Sequence, residues 1–339
     1  MIYLAQVGSF HNVICAIEAA KKNGFNSNND KIYFLIHRKP LFLKWKHIEN
    51  ILKLRKIKSN EFFFETINER SLNKNLVQRI KKEILFKISH IDVLISQFNF
   101  GINHTIIKNI FDIKKLILID DGLINCLKVK QRFVFLKYLQ YKYIGIDYDL
   151  NDKLKLGLSK KYDEYFSCLD PNFLCSIKKR TSNICSEVFS FYKKIIKSDQ
   201  HHFNKIASNN SLLFCSNHAV QSKRIHKNEY FRIIEKHINY MKSNYVVENK
   251  YICMHPAEPI DNFNFYKTLG FKNLNKYSAE LYLQTNKFNY CIHPCSSVPL
   301  VCESLKKTNT KYFGYLLPGM PYKKIGIEVN KKFNFEFLP

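Results

Sequence analysis

The chain has 339 residues, enough for two domains with sizeable cores, and its 46% hydrophobic and 14% aromatic content excludes a disordered protein. Lys and Arg number 54 against 28 Asp and Glu, a net charge of +26 that draws anionic partners without choosing among nucleotides, nucleic acid, acidic glycans and an anionic membrane surface. No apolar run approaches the ~18 residues of a membrane span, and residues 1–6 carry no basic leader, so the chain reads as cytoplasmic.

Residues 2–6 read as a buried strand, and Gly8-Ser9 opens a helix whose Val13, Ile14, Ile17 and Ala20 share a face, closed near Asn23-Gly24. Strand 31–37 follows, then helix 41–54, a short strand 62–64, and a helix to about 88 capped by Ser71. Strand 92–97, helix 105–111 and strand 115–119 complete an alternation that implies a parallel, doubly wound sheet. Residues 130–205 read as mixed helix and irregular structure, with a domain junction in 190–210, which divides the chain into 1–200 and 201–339. The alternation then resumes with strand 212–215, helix 226–241, strand 251–254, short helix 278–284, strand 288–292, helix 298–305 and a final strand 311–316. The fold class is therefore α/β, two Rossmann-like domains facing a central cleft.

Ligands of open parallel sheets bind beyond the carboxyl ends of strands, so the polar residues that end each apolar run are the candidates. Asp120-Asp121-Gly122 ends strand 115–119. Two adjacent carboxylates repel, which raises one pKa toward that of a general base, and Gly122 leaves room for a ligand; an ordinary turn or helix cap uses the same residues. His255-Pro256, with Glu258 just after, ends strand 251–254. Its imidazole suits donation to a leaving phosphate, or it bonds to backbone. Ser296-Ser297-Val298-Pro299 opens a helix whose N-terminal N–H groups and hydroxyls form an anion site or a plain cap, and Ser216-Asn217 invites the same two readings. His293-Pro294 shapes that pocket or ends its strand. Cys291 and Cys295 flank His293, but no second ligand pair follows at zinc spacing, and the ten cysteines read as reduced, buried thiols. No metal is expected.

The order of an acidic pair with Gly, then His-Pro, then a Ser pair resembles the bacterial sialyltransferases, closest to the lipooligosaccharide sialyltransferases and the capsular polysialyltransferases. Ile119-Asp120-Asp121-Gly122 and Met254-His255-Pro256-Ala257-Glu258 carry the likeness best, and Lys161-Tyr162-Asp163-Glu164-Tyr165 is similar to the segment after the first motif. Cys295 and Pro299 beside the Ser pair depart from the pattern. The resemblance implies a glycosyltransferase B fold and an inverting, metal-independent transfer of sialic acid, or a related nonulosonic acid, from a CMP-activated donor. The acceptor it implies is a surface glycan or glycolipid of lipooligosaccharide or capsule. It makes Asp120 or Asp121 the base and His255 the group that assists departure of CMP. Ser296 and Ser297 hold the phosphate, and Gly122, Pro256, Glu258, Ser216, Asn217 and His293 line the donor site. No cofactor beyond the donor is implied, and the basic surface suits peripheral contact with the inner membrane.

Three alternatives stand beside it: a transferase of the same fold using another nucleotide sugar, a basic nucleic-acid-binding protein, and an inert partner in glycan export. Against the second, Arg is scarce and no zinc-finger, RNA-recognition or helix-turn-helix signature is present, so nucleic acid is not an expected partner.

Overall fold

The computed structural model describes residues 1–36, 45–54, 56–57, 59–63, 73–97, 102–119, 129–130, 134–144, 146, 155–156, 162–168, 181–255, 258–296, 298–305, 308–318, 326–328, 331 and 333–338. The chain divides into two compact units, Met1–Val188 and Phe189–Pro339, the division falling inside the helix Cys185–Ser198 where the sequence reading placed it at 200/201.

The described residues of the first unit hold nine strands: β1 (Ile2–Val7), β2 (Lys31–Ile36), β3 (Ser59–Phe63), β4 (Val93–Ser96), β5 (Lys115–Ile119), β6 (Val129–Lys130), β7 (Lys155–Leu156), β8 (Glu164–Ser167) and β9 (Thr181–Asn183). Seven of them form one sheet in the order β3-β2-β1-β4-β5-β8-β9, every pair parallel, while β6 and β7 form a separate antiparallel pair. Strands covered by helices on both faces are apolar at successive positions, and Leu4, Ala5, Ile95, Ile117 and Ile119 are accordingly buried. The helix Phe10–Lys22 packs across β1, β4, β5 and β8 and buries every residue from Phe10 to Ala20. Ser9 caps it by accepting from the Asn12 amide at 3.2 Å.

The second unit repeats the plan with β10 (Ser211–Cys215), β11 (Asn249–Cys253), β12 (Phe271–Asn273), β13 (Tyr290–His293), β14 (Lys311–Gly314) and β15 (Glu336–Phe337). Their order is β12-β11-β10-β13-β14-β15, all parallel, which counted within the unit is the 3-2-1-4-5-6 order of a dinucleotide-binding fold. Much of the tyrosine bias of the sequence is core: Tyr230, Tyr266 and Tyr315 are wholly buried around Phe214. Their hydroxyls find partners, Tyr230 with Tyr266 at 3.2 Å and Tyr315 with the Cys215 carbonyl at 3.2 Å.

The structure departs from the sequence reading in several places. Within the stretch 130–205, read as mixed helix and irregular structure, Glu164–Ser167 and Thr181–Asn183 form two strands, β8 and β9, that extend the first sheet. The strand at 311–316 is not the last, because β15 pairs beyond it, and β12 adds the opposite edge. The helix after β3 is Lys74–Lys87, capped by Asn73, whose Oδ1 accepts from Leu76 N at 2.9 Å. Ser71, the expected cap, lies outside the described residues.

Candidate functional site

Three of the polar segments singled out in the sequence leave neighbouring strands at one edge of the second sheet. β10 lies between β11 and β13, and Phe214 is in register with both Ile252 and Ile292. Ser216, His255 and Ser296 therefore emerge at the carboxyl edge, on either side of the point where the strand order reverses. That is where an open α/β sheet binds ligands.

Ser216 organises this edge. Its amide donates to the Cys253 carbonyl at 3.2 Å, and its Oγ accepts from the His255 amide at 2.8 Å while donating to Glu258. One hydroxyl has one proton, so Ser216 is committed to Glu258, and its effect on a ligand runs through His255. Glu258 turns inward: it is 7% exposed, its amide donates to the His255 carbonyl at 2.8 Å, and its Oε1 accepts from Asn262 at 3.1 Å and Tyr266 at 2.9 Å. Burial raises the Glu258 pKa above the ordinary carboxylate value, although the Ser216, Asn262 and Tyr266 hydrogen bonds favour the charged form. Tyr266 meets Tyr230, whose hydroxyl accepts from the Asn217 amide at 3.1 Å. The result is a hydrogen-bonded bracket of Ser216, Asn217, Tyr230, Glu258, Asn262 and Tyr266 that holds the backbone of His255 from both sides.

The His255 ring is half-buried and stacks on His218, centroids 4.2 Å apart and planes 25° from parallel. His218, Asn262, Tyr230 and Tyr266 were not among the candidates read from sequence. His218 carried a signal, since it stands two residues after Ser216 on the same strand-end segment. The two tyrosines carried none, because helix packing brings them in.

Ser296 stands before the helix Val298–Leu305, and its Oγ accepts from Val298 N at 3.4 Å, so it does act as a cap. It is half-buried, and Cys295 before it takes a left-handed backbone with φ of 46°. The Gly326 backbone lies so close that a Cβ there would come within 2.7 Å of the Cys295 Cβ, which requires glycine at 326. His293 lies beneath this loop, 1% exposed, its ring against Tyr312 and Phe335. Neither ring nitrogen has a hydrogen-bond partner among the described residues, and burial pushes the pKa down to about 3, so the ring is neutral. The Cys291, His293 and Cys295 donors do not gather into a metal set among the described residues; the Cys295 thiol donates to the Tyr315 carbonyl.

Asp120, Asp121, Gly122, Pro256 and Ser297 lie outside the described residues. The strand that leads to the acidic pair, β5, is described and ends at Ile119, between β4 and β8. The segment 162–165 serves β8: Asp163 accepts from Leu116 N at 2.7 Å and Glu164 pairs with Lys115 at 3.0 Å, docking the start of β8 on the start of β5.

No protein-family model matches the sequence, and no curated protein matches it either. Solved structures do. The GT-B domain of a sialyltransferase from Photobacterium damselae superimposes with a TM-score of 0.53 at 12% identity, over 99% of this chain and 100% of that one. The protein has the glycosyltransferase B fold. A 2,6-sialyltransferase from another Photobacterium, solved with the donor product CMP and the acceptor substrate lactose, gives 0.57 at 15% identity, over 99% of this chain and 78% of that one. The UDP-GlcNAc 2-epimerase of Methanocaldococcus jannaschii, solved with UDP-GlcNAc and UDP, gives 0.56 at 12% identity, over 96% of this chain and 86% of that one. At these identities the likeness is one of fold, and the GT-B scaffold serves transferases and epimerases alike.

Proposed function

We propose that the protein is an inverting glycosyltransferase that moves sialic acid, or a related nonulosonic acid, from a CMP-activated donor to a glycan acceptor. The observation that carries this is the convergence of Ser216, His255 and Ser296 at adjacent strand ends across the reversal point of the second sheet. Such an edge suits a nucleotide with a single phosphate. A helix N-terminus and a serine hydroxyl meet the phosphate oxygens, and an imidazole held by its backbone donates to the oxygen that departs.

In the proposed step the acceptor hydroxyl oxygen attacks the anomeric carbon as the bond from that carbon to the CMP phosphate oxygen breaks. The hydroxyl proton passes to a carboxylate, which the resemblance assigns to Asp120, with Asp121 beside it. CMP leaves as a phosphate monoester, stabilised by donation from His255 and by Ser296 and Ser297. These groups need no divalent ion to neutralise one phosphate. The acceptor is a surface glycan of the lipooligosaccharide or capsule class, and the charge of +26 holds an anionic acceptor or rests the enzyme against anionic lipid at the inner face of the membrane. No helix among the described residues is long and apolar enough to cross a membrane.

The epimerase likeness supports a second reading, a UDP-sugar enzyme on the same scaffold. Calorimetric titration with CMP, CDP and UDP separates the two. Binding of CMP in preference to UDP, followed by CMP release from CMP-sialic acid in the presence of a glycan acceptor, is the expected result; tight UDP binding without CMP binding overturns it.

A further inference from the structure

The first unit contains a cluster of soft donors that the transfer chemistry does not use. We propose that His11, Cys15 and Cys168, with Cys185 as the fourth donor, bind a zinc ion that braces this unit internally. His11 and Cys15 are four residues apart on the helix Phe10–Lys22, the spacing that puts two side chains on one helical face. Cys168 directly follows β8, and Cys185 is the first residue of the helix Cys185–Ser198.

His11 Nε2 lies 3.3 Å from Cys15 Sγ, and Cys15 Sγ lies 4.0 Å from Cys168 Sγ. All three donor atoms fall within 4.8 Å of one another, and all three residues are buried. A tetrahedral zinc with Zn–S of about 2.3 Å and Zn–N of about 2.0–2.1 Å has S···S edges of about 3.8 Å and S···N edges of about 3.6 Å. The donors therefore already stand near coordination separations. The Cys185 thiol donates to the Cys168 carbonyl at 2.7 Å and also interacts with the Cys168 thiol. Those contacts with Cys168 make Cys185 the fourth donor of the proposed set. Three thiolates and an imidazole form a closed structural set with no open position, so the ion serves architecture and not transfer.

On binding the dication, each thiol coordinates as thiolate and releases its proton, up to three per zinc, while His11 binds neutral. The ion would tie the helix Phe10–Lys22, the carboxyl end of β8 and the start of the helix Cys185–Ser198 into one block within the first unit.

The test uses the full-length reduced chain stripped with a chelator and titrated with cobalt(II), then with zinc in competition. Expected are one cobalt per chain with a thiolate-to-metal charge-transfer band, displacement of that band by one equivalent of zinc, proton release in weak buffer, and a thermal unfolding midpoint that rises with zinc. Cys15→Ser and Cys168→Ser lose the band, whereas Cys291→Ser in the second unit keeps it. Should a variant fail to fold, the wild-type spectrum and competition decide alone. A wild-type chain with no charge-transfer band and a midpoint unmoved by zinc overturns the proposal, as does a full band in Cys168→Ser.

Discussion

Ser216 Oγ accepts from the His255 amide and donates to Glu258, so deleting that one oxygen removes two hydrogen bonds of the bracket at once. Ser216→Ala is expected to cost about 1–3 kcal/mol of stability, read as a lowered denaturant midpoint, and to slow turnover by letting His255 drift. If turnover is unchanged, the bracket is structural only. The groups placed in direct contact with the reacting atoms should matter more. Asp120→Asn and His255→Ala are each expected to lower turnover at least about a hundredfold with folding intact, the scale of acid–base groups, and Asp121→Asn is expected to be milder. The reverse order of the two aspartates moves the base by one residue, and wild-type rates in all three variants remove the proposed step. Asp120 and Asp121 were visible in the sequence because an apolar strand stops at them. Glu258 was visible too, but as a ligand group; its inward turn to Asn262 and Tyr266 depends on how the chain folds back after His255.

At the scale of elements, the helix Val298–Leu305 tests whether a cap is also a phosphate site. Ser296 already accepts from Val298 N, which a cap requires, and the remaining free N–H groups of the first turn are what an anion would take. Replacing Ser296 and Ser297 together by alanine is expected to weaken CMP binding by about tenfold or more, measured calorimetrically; an unchanged dissociation constant leaves a simple cap. The elements easiest to read were those with one unbroken signal. β5 and this helix have the bounds expected from sequence, the first an uninterrupted apolar run and the second an apolar stretch opened by Ser and Pro. β8, β9 and β15 escaped because Glu164–Ser167, Thr181–Asn183 and Glu336–Phe337 are short and mixed in polarity. Their strand character comes from the neighbour already in the sheet, as when β5 supplies the partners of Glu164, Tyr165 and Phe166.

For the whole molecule, two buried neutral histidines make stability depend on pH. His237 and His293 are 4% and 1% exposed, and burial lowers their pKa values to about 4 and about 3. A histidine whose folded pKa lies below its unfolded value of ~6.5 contributes stability that is complete above that value and is lost as pH falls toward the folded pKa. Between pH 6.5 and 5 each costs about 1.6 kcal/mol, since one pH step is worth ~1.4 kcal/mol per proton taken up on unfolding and that uptake is only half complete at pH 6.5. Glu258, raised by burial, acts in the opposite sense because its folded form holds a proton longer. The expected net result is a denaturant midpoint that falls on acidification over this range, with a shallower slope in His293→Leu. A midpoint that does not fall on acidification, or an unaltered slope in that variant, contradicts the assignment.

By itself the sequence determined the alternation of strands and helices, hence two parallel sheets, and it marked the strand ends where polar residues interrupt apolar runs. Both are local, since a buried parallel strand must be apolar along its length and a ligand-bearing loop must not be. The tertiary structure alone decided which of those ends meet. Strand order puts β10 between β11 and β13, and only that order joins Ser216 to His255 across 39 residues of chain. It also brings Cys168 to Cys15 across 153 residues, a separation at which no spacing rule operates. Such meetings follow from pairing energies summed over whole sheets, and no short stretch of chain encodes them.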